Sequence, residues 1–283
     1  MGLSGNGIRN TIYGRCVRVA HPEMRGGAGR EETKEGADHD FRRGDGAGRR
    51  ARGGVRRLVR GSASAQAKTQ NAYAPKIDPA DFTTKIDNKY FPLKPGTTFV
   101  YEGTFHGTAE RDVMAVTHDT KRVMGVECLV ASDRVTEGGK LIEQTYDWYA
   151  QDNKGNVWYF GEHVTEYKNG KVTGHEGSWE SGVDGARPGI AMQADPTVGK
   201  TYRQEYSKGV AEEGARVLKL DGSVKVPYGS YDHVLVTEEF TPLEPGVVER
   251  QYYVAGVGDI VEATVKGQPE RIELVDVKTG GAS

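Results

Sequence analysis

Residues 141–162 have the sequence LIEQTYDWYAQDNKGNVWYFGE, which gives the clearest indication of the fold. Two runs rich in aromatic residues flank the segment DNKGN at 152–156, whose residues tolerate the positive φ angles of a tight turn. The pattern predicts an antiparallel β-hairpin with one strand on each side of the turn. Because strand side chains alternate between the two faces of a sheet, each run should place one set of side chains in a core.

The same pattern repeats along most of the chain. Runs of β-branched and aromatic residues end at turns of Gly, Asn or Asp, and a second tight turn is predicted at KNGK, residues 168–171. Helical apolar spacing is absent from windows of twelve or more residues, apart from a weak candidate at 211–217. We predict about ten strands, near residues 97–103, 109–117, 126–136, 140–150, 156–164, 201–207, 215–226, 231–240, 247–254, 259–265 and 271–277.

These strands predict an all-β fold, an antiparallel meander curled into a barrel or half-barrel. One long loop, residues 174–199, is rich in glycine and weakly patterned, and we expect it to cap the concave side. The segment YAPKIDP at 73–79 contains two prolines and should be an extended lead. The domain is therefore expected to span residues 77–278, followed by a flexible C-terminus at 279–283.

The composition of the chain changes near residue 68. Residues 1–67 contain 13 Arg, one Lys, 14 Gly and seven acidic residues, whereas the remainder carries 24 basic and 33 acidic residues. The first segment has few apolar side chains and thus too little surface to bury in a core. We therefore predict that residues 1–76 form a disordered tail. Within the tail, GSASAQA at 61–67 is similar to the A-x-A site of signal peptidase, although no apolar h-region precedes it. The motif favours a secreted or periplasmic protein.

Residues 1 to about 60 admit two interpretations. An Arg- and Gly-rich segment with little Lys is typical of translated GC-rich non-coding sequence, which favours a misassigned start or a shifted reading frame. Arg-Gly runs such as residues 49–57 can also bind nucleic acid by neutralising phosphates, which is the weaker interpretation. We therefore predict no nucleic-acid partner.

Several classes of protein lack support in the sequence. With 36% hydrophobic residues and a net charge of −2, the chain has no apolar run of the roughly eighteen residues that a transmembrane helix needs. The two cysteines lie in unlike regions, so no disulfide is predicted. P-loop, dinucleotide and G-x-S-x-G motifs are missing, and the histidines lack metal-ligand spacing. No cofactor or metal is predicted, and the sequence does not indicate an oligomeric state.

Two passages carry a family resemblance: GNVWYFGE at 155–162 and YYVAGVG at 252–258. They resemble a group of uncharacterised exported bacterial β-proteins, and the layout of residues 81–277 is similar to that group as well. The resemblance implies export and no particular activity. At the level of fold, the meander is also similar to periplasmic lipoprotein-carrier and lipocalin-like domains, which bind apolar ligands inside a curved sheet. Such a similarity does not fix function.

Alternation sorts the side chains of the hairpin by face. On the first strand Glu143, Thr145, Asp147 and Tyr149 share one face, and on the second Trp158, Phe160 and Glu162 should oppose Val157, Tyr159 and Gly161. The aromatic side chains are expected either to pair across strands in the core or to line a surface for a sugar or a flat apolar molecule. The predicted ligand-binding residues are Trp148, Tyr149, Trp158, Tyr159, Trp179, Arg203 and Tyr253.

Carboxylates beside the aromatic strands are the candidates for chemistry. A pair of them, five to ten ångströms apart, could serve as acid and base on a glycosidic bond, with Asp147, Glu162 and Glu180 as the predicted catalytic residues. Glu205 and Glu249 have similar settings. The alternative is that these residues are solvated or paired with Arg203 and Arg250.

Three hypotheses about function follow. The leading one is an exported binding protein that holds an apolar or carbohydrate ligand in an aromatic-lined β concavity. The second is a carbohydrate-active hydrolase or lyase that uses paired carboxylates. The third is a structural or envelope-assembly protein, for which the interior should be filled by its own side chains.

Overall fold

The structure, a computed structural model, describes residues 73–280. The signal-cleavage motif at 61–67, the rest of the predicted tail up to residue 72, and residues 281–283 lie outside the described residues. A short 3-10 helix, Pro79–Asp81, precedes eighteen strands within the described range. The strands are β1 (Phe82–Thr83), β2 (Ile86–Asn88), β3 (Phe91–Leu93), β4 (Thr97–Phe105), β5 (Thr108–Val123), β6 (Val126–Glu137), β7 (Lys140–Asp152), β8 (Val157–Lys168), β9 (Lys171–Gly174), β10 (Trp179–Glu180), β11 (Arg187–Met192), β12 (Thr201–Arg203), β13 (Glu205–Tyr206), β14 (Gly214–Val226), β15 (Gly229–Phe240), β16 (Val248–Val254), β17 (Gly258–Lys266) and β18 (Arg271–Thr279).

Most of the strands form one antiparallel sheet curled into a barrel. The order of paired neighbours is β14-β15-β16-β17-β18-β4-β5-β6-β7-β8-β11. β12 and β13 are two halves of one extended segment, in which β12 pairs with β14 and β13 pairs with β11. This segment therefore bridges the two edges of the sheet. The predicted all-β antiparallel barrel is confirmed, with more strands than the ten expected because several short strands pair at its edges.

Gly189 permits the close approach of β11 to the bridging segment. A Cβ atom at this position would lie 2.2 Å from the backbone oxygen of Gln204. Since any side chain here would collide with backbone, only glycine lets the two strands meet at this distance.

The two predicted hairpin turns are present. The Asp152 carboxylate accepts hydrogen bonds from the backbone amides of Lys154 and Asn156, at 2.9 Å each, and thereby fixes the turn between β7 and β8. Between β8 and β9, Asn169 and Gly170 have φ angles of 55° and 74°. Asn and Gly are the residues that adopt this left-handed conformation at least cost.

A β-bulge in β8 corrects the face assignment made from sequence. Asp147 pairs with Glu162 and Tyr149 pairs with Tyr159, so two residues of β7 span three of β8. Gly161 takes up the extra residue with a φ of 132°. Because one inserted residue moves every later side chain to the opposite face, Glu162 lies on the inner face with Tyr159, and was wrongly predicted to share the face of Trp158.

The β2–β3 hairpin fills one end of the barrel interior. Ile86, Phe91 and Leu93 of this hairpin are at most 4% exposed and belong to the main hydrophobic core. The Asn88 side chain fixes the hairpin by donating to the backbone oxygen of Gly155 at 2.8 Å. This hairpin end of the barrel is therefore closed by apolar side chains.

A second, smaller core lies on the outside of the barrel wall. It contains Trp148, Cys128 and Phe160 and is covered by Ile77 and Phe82 of the extended lead. Burial raises the pKa of the Cys128 thiol to about 12, so Cys128 packs here as a small buried hydrophobe. The lead is thus part of the folded domain.

Residues 174–199, predicted as one long loop, contain two strands. β10 pairs with β8 at Trp179 and Glu180, and β11 pairs with both β8 and β13. The part from Arg187 to Met192 is therefore barrel wall. The glycines in this segment obscured the strand pattern, since they have no side chain to show alternation.

Candidate functional site

Acidic side chains occupy the part of the barrel interior that lies away from the β2–β3 hairpin. Along β7 the inward positions run from Gln151, which donates to Asp87 of the hairpin, through Tyr149 to Asp147 and then Glu143. We call the region beyond Tyr149 the acidic end. Its carboxyl groups, each at most 8% exposed, belong to Asp112, Asp133, Glu143, Asp147, Glu162, Glu205, Glu213, Glu239 and Glu249.

Asp147 and Glu162 are directly opposite each other on β7 and β8, and so both carboxyls enter the acidic end. The Tyr159 hydroxyl donates to Asp147 Oδ1 at 2.6 Å. Burial raises the pKa of Asp147 to about 7, although that hydrogen bond opposes the rise. The same hydroxyl lies close enough to Glu162 to lower the pKa of that carboxyl as well, although both Glu162 oxygens are buried without a well-aligned donor among the described residues. Burial and then the Asp147 charge raise the Glu162 pKa well above its ordinary value.

A second set of carboxyls comes from the bridging segment and the strands beside it. Both oxygens of Glu205 are buried without a hydrogen-bond partner among the described residues. Burial raises the pKa of Glu205 well above the ordinary range, and the charge of Glu213 raises it further. Burial likewise raises the pKa of Glu239 to about 8 and that of Glu249 to about 7. Because these carboxyls repel one another, the protonation of each depends on the charge of the others, and we call them the buried array.

Such an array has a physical consequence for what the interior can hold. A buried carboxylate without a donor is costly, and several close together cannot all be ionised. The raised pKa values of Asp147 and Glu239 mean that protons remain bound to part of the array near neutral pH. Ligand groups that donate hydrogen bonds or carry positive charge would relieve the same cost.

Two depressions in the surface border the acidic end. One depression is lined by Asp112 and Glu262 and also includes Arg271 on its wall. The other is lined by Glu239 and Glu249. Carboxyls of the barrel interior therefore come close to the solvent at both depressions.

The predicted aromatic residues on the inner face pack against one another. The rings of Tyr149 and Tyr159 stack with centroids 4.8 Å apart, and Trp179 meets Tyr159 edge-on at 5.4 Å. Tyr253 is fully buried, and its hydroxyl donates to Gln251. These four predicted ligand-binding residues therefore form the floor beneath the acidic end, where they also contribute to the core.

The remaining predicted site residues lie elsewhere. Trp148 is on the outer side of the wall, where the Lys121 ammonium lies 3.4 Å from its ring centroid and 2.8 Å from Glu180 Oε2. Trp158 is also outside, and donates to Asp152 at 2.9 Å. The barrel wall thus separates Glu180, Trp148 and Trp158 from Asp147 and Glu162.

Arg203, also predicted to bind ligand, lies in the bridging segment. Its guanidinium is 5.2 Å from the ring centroid of Tyr206. The adjacent residue, Gln204, was missed by the sequence analysis, as were Glu213 and Glu239. Gln204 is fully buried and donates to Glu239 Oε1 at 2.9 Å. Inward alternation on β15 could have identified Glu239, which shares its face with Thr237.

Residues 73–280 contain neither a metal-binding cluster nor a membrane-spanning helix. Within residues 73–280, no three His, Cys, Asp or Glu side chains are arranged so that they could hold a metal ion. None of the helices in that range is long and apolar enough to span a membrane.

Comparison with known proteins gives two similar solved structures. One is a predicted exported protein with a YmcC-like fold from Bacteroides fragilis, with 14% identity and a TM-score of 0.42. The other is a predicted lipoprotein from Parabacteroides distasonis, with 13% identity and a TM-score of 0.39. Each match covers 68% of this chain and all of the other.

No protein-family model matches the chain, and no curated protein matches its sequence significantly.

Proposed function

We propose that the protein is an exported binding protein that holds a small polar ligand, of the carbohydrate class, at the acidic end of its barrel. The observation that carries the proposal is the buried carboxyl of Glu205, whose two oxygens have no hydrogen-bond donor among the described residues. Close to it, the Glu162 carboxyl is also buried and shares the Tyr159 hydroxyl with Asp147. Carbohydrate hydroxyls supply several donors within a small volume, which is what these oxygens require.

The geometry favours a polar ligand over an apolar one. The inner aromatic rings of Tyr149, Tyr159 and Trp179 already contact each other, and the β2–β3 hairpin fills the apolar end. An apolar ligand would compete with this packing, whereas a polar ligand would meet acceptors that have no other partner.

The export component of the proposal rests on the sequence. The cleavage-like motif at 61–67 and the resemblance of residues 155–162 and 252–258 both indicate it. The predicted exported protein and the predicted lipoprotein that have similar structures agree with this location.

A second candidate, a carbohydrate-active hydrolase, is favoured by one observation. Asp147 and Glu162 face each other across β7 and β8, and burial raises the pKa of both. The Asp147 charge raises the Glu162 pKa further, and the charges of Glu143 and Asp112 raise that of Asp147. Two neighbouring carboxyls with different environments are the arrangement from which acid and base roles arise. In such an enzyme Glu162 would be the acid, since the Tyr159 hydroxyl stabilises the ionised form of Asp147.

The proposal is tested by calorimetric titration of the full chain with a panel of mono- and disaccharides, and with palmitate as the apolar alternative. We expect a saccharide to bind and palmitate not to bind. Glu205→Gln should weaken saccharide binding by at least ~10-fold, because a hydrogen bond to a charged group is lost. Glu180→Gln is the matched control on the outer face and should leave the affinity unchanged.

Three outcomes decide between the candidates. Failure of every saccharide to bind would overturn the proposed function, as would equal effects of Glu205→Gln and Glu180→Gln. If a bound saccharide is also cleaved, and Asp147→Asn stops cleavage while binding persists, the hydrolase is correct.

A further inference from the structure

The carboxyl that carries the proposed binding function is enclosed by the barrel. Glu205 lies in the bridging segment, residues 201–206, and is fully buried. A ligand can therefore reach this carboxyl only if part of the barrel wall moves. The pairing of the bridging segment indicates which part of the wall is held least firmly.

The attachment of the bridging segment to β11 is short. It consists of two residue pairs, Arg187 with Tyr206 and Pro188 with Glu205. Pro188 has no N–H group that could donate to the bridging segment. The Glu205 N–H donates to the backbone oxygen of Glu213, at 3.5 Å, which lies on the other side of the segment. Neither residue of the Pro188–Glu205 pair therefore donates an amide hydrogen bond across to its partner.

The attachment on the opposite side is more extensive. β12 pairs with β14 along its whole length, Thr201–Arg203. The Gln204 N–H donates to the backbone oxygen of Glu213 at 3.0 Å, and the Gln204 side chain donates to Glu239 on β15. A tight turn at residues 207–211 then leads towards β14. The bridging segment is therefore a flap that is fixed on the β14 side, and its release from β11 would open the barrel.

The Glu205 carboxyl favours this release. Both of its oxygens are buried without a donor in the part of the chain that the structure describes. Closure of the flap thus removes water from the carboxyl and supplies no hydrogen bond to replace it. Release from β11 would return the carboxyl to water.

Ionisation of Glu205 adds to this effect. Burial and then the charge of Glu213 raise the pKa of Glu205 well above its ordinary value of 4.5 in the closed barrel. The other acidic groups that act on it are Glu162 on β8, Glu239 on β15 and Asp147 on β7; the nearby basic residues are Arg203, whose guanidinium lies by the Tyr206 ring, and Arg187, which is opposite Tyr206. In the open barrel a hydrated carboxyl has its ordinary pKa. Opening therefore releases a proton and becomes more favourable as the pH rises above 4.5.

We propose that residues 201–206 are the gate of the acidic end: the flap leaves β11 to admit a ligand, and the buried Glu205 carboxyl drives it open. The inference deepens the proposed function, on which it rests, by giving the enclosed site a route of entry. A ligand that donates hydrogen bonds to Glu205 would favour the closed flap again.

Thiol labelling at the acidic end measures opening without any ligand. Thr145→Cys places a thiol on the inner face of β7, at a position that is 1% exposed. The full chain has two native cysteines, so Cys16→Ser and Cys128→Ala leave this thiol alone. The small reagent methyl methanethiosulfonate should then label it at a rate proportional to the population of open barrel.

A disulfide across the seam tests whether the flap is the gate. Arg187→Cys and Tyr206→Cys, added to the labelling variant, replace directly opposed residues and should link the flap to β11. We expect this disulfide to slow labelling by ~10-fold or more, because it disfavours the open state. Thr98→Cys with Ala115→Cys is the matched control, a disulfide between opposed residues of β4 and β5.

The control disulfide should leave the labelling rate close to that of the unlinked chain. Equal slowing by the two disulfides would show that the thiol is reached by unfolding of the whole barrel, and would overturn the gate. A labelling rate that the seam disulfide does not change would also overturn it.

Glu205→Gln tests the part played by the carboxyl, since glutamine keeps the shape and cannot ionise. The ratio of the labelling rates with Glu205 and with Glu205→Gln cancels the pH dependence of the thiol itself. This ratio should rise at least ~10-fold from pH 6 to pH 8, since each released proton adds up to a factor of about 10 per pH unit. Glu180→Gln, on the outer face, should give a ratio near one at both pH values. A ratio for Glu205→Gln that does not change with pH would overturn the inference.

Failure of the gate and failure of the proposed function give different results. If the seam disulfide slows labelling but no saccharide binds, the gate stands and the carbohydrate class is wrong. If a saccharide binds and the seam disulfide has no effect on labelling, the proposed function stands and the gate is wrong.

Discussion

Replacing Glu239 by glutamine removes one buried carboxyl from the acidic end and preserves its shape. Burial, as the main cause, raises the pKa of Glu239 from 4.5 to about 8 in the folded protein. Between pH 4.5 and about pH 8, the folded state therefore keeps a proton on Glu239 that the unfolded state has released. Stability that comes from this proton is present below pH 4.5 and is lost as the pH rises towards 8.

The magnitude follows from the two pKa values. Each pKa unit corresponds to about 1.4 kcal/mol, so Glu239 alone should lower the free energy of unfolding by about 3 kcal/mol between pH 5 and pH 8. Glutamine has no such proton, and its amide oxygen can still accept from Gln204 Nε2. Glu239→Gln should thus match the wild type at pH 5 and exceed its stability at pH 8.

Urea unfolding at pH 5, 6.5 and 8 measures this difference as a shift of the midpoint at constant m-value. Glu238→Gln is the control, since Glu238 lies on the outer face beside Arg216 and an ion pair of this kind contributes less than about 1 kcal/mol. An unchanged pH dependence in Glu239→Gln, or an equal loss of stability at every pH, would refute the account of the buried array.

Two further substitutions test the wall of the acidic end. Gly161→Ala should cost roughly 2 kcal/mol or more in urea unfolding, because φ is 132° and the new Cβ would lie 2.4 Å from Trp179 O; wild-type stability would exclude the bulge. Tyr159→Phe should raise the Asp147 pKa above about 7 in a carbon-detected NMR titration, because its hydroxyl donates to Asp147; an unchanged or lower value would show that this hydrogen bond does not form.

The sequence contains enough local information for the architecture. The turns at Asp152 and Asn169 follow from turn chemistry, and β-branched and aromatic runs predict the antiparallel strands. The convergence of Asp147 and Glu162 was foreseen as a possibility, since both lie in one hairpin.

The inner and outer faces could not be predicted throughout. The bulge at Gly161 breaks the strict alternation of side chains between the two faces. The presence of a glycine in a strand does not by itself show that a bulge occurs there. The bulge moves Glu162 to the inner face, where it lies opposite Asp147. The aromatic residues expected in one concavity lie on both sides of the wall, with Trp158 outside and Tyr159 inside, as the alternation of neighbouring residues requires.

Part of the acidic end depends on contacts between distant parts of the sequence. Glu213, Glu239 and Glu249 meet only because β14, β15 and β16 pair in their particular register. No local motif marks them, since each resembles a solvated glutamate at the end of a strand. Pairing register is set by the whole barrel, which explains why the acidic end was missed as a unit.

The most direct test of the central claim is a crystal structure of the full chain soaked with the tightest-binding saccharide. The account predicts ligand density at the acidic end, within hydrogen-bond distance of Glu205 or Glu162. Density at the outer face beside Trp148 or Trp158, with the acidic end unchanged, would contradict it.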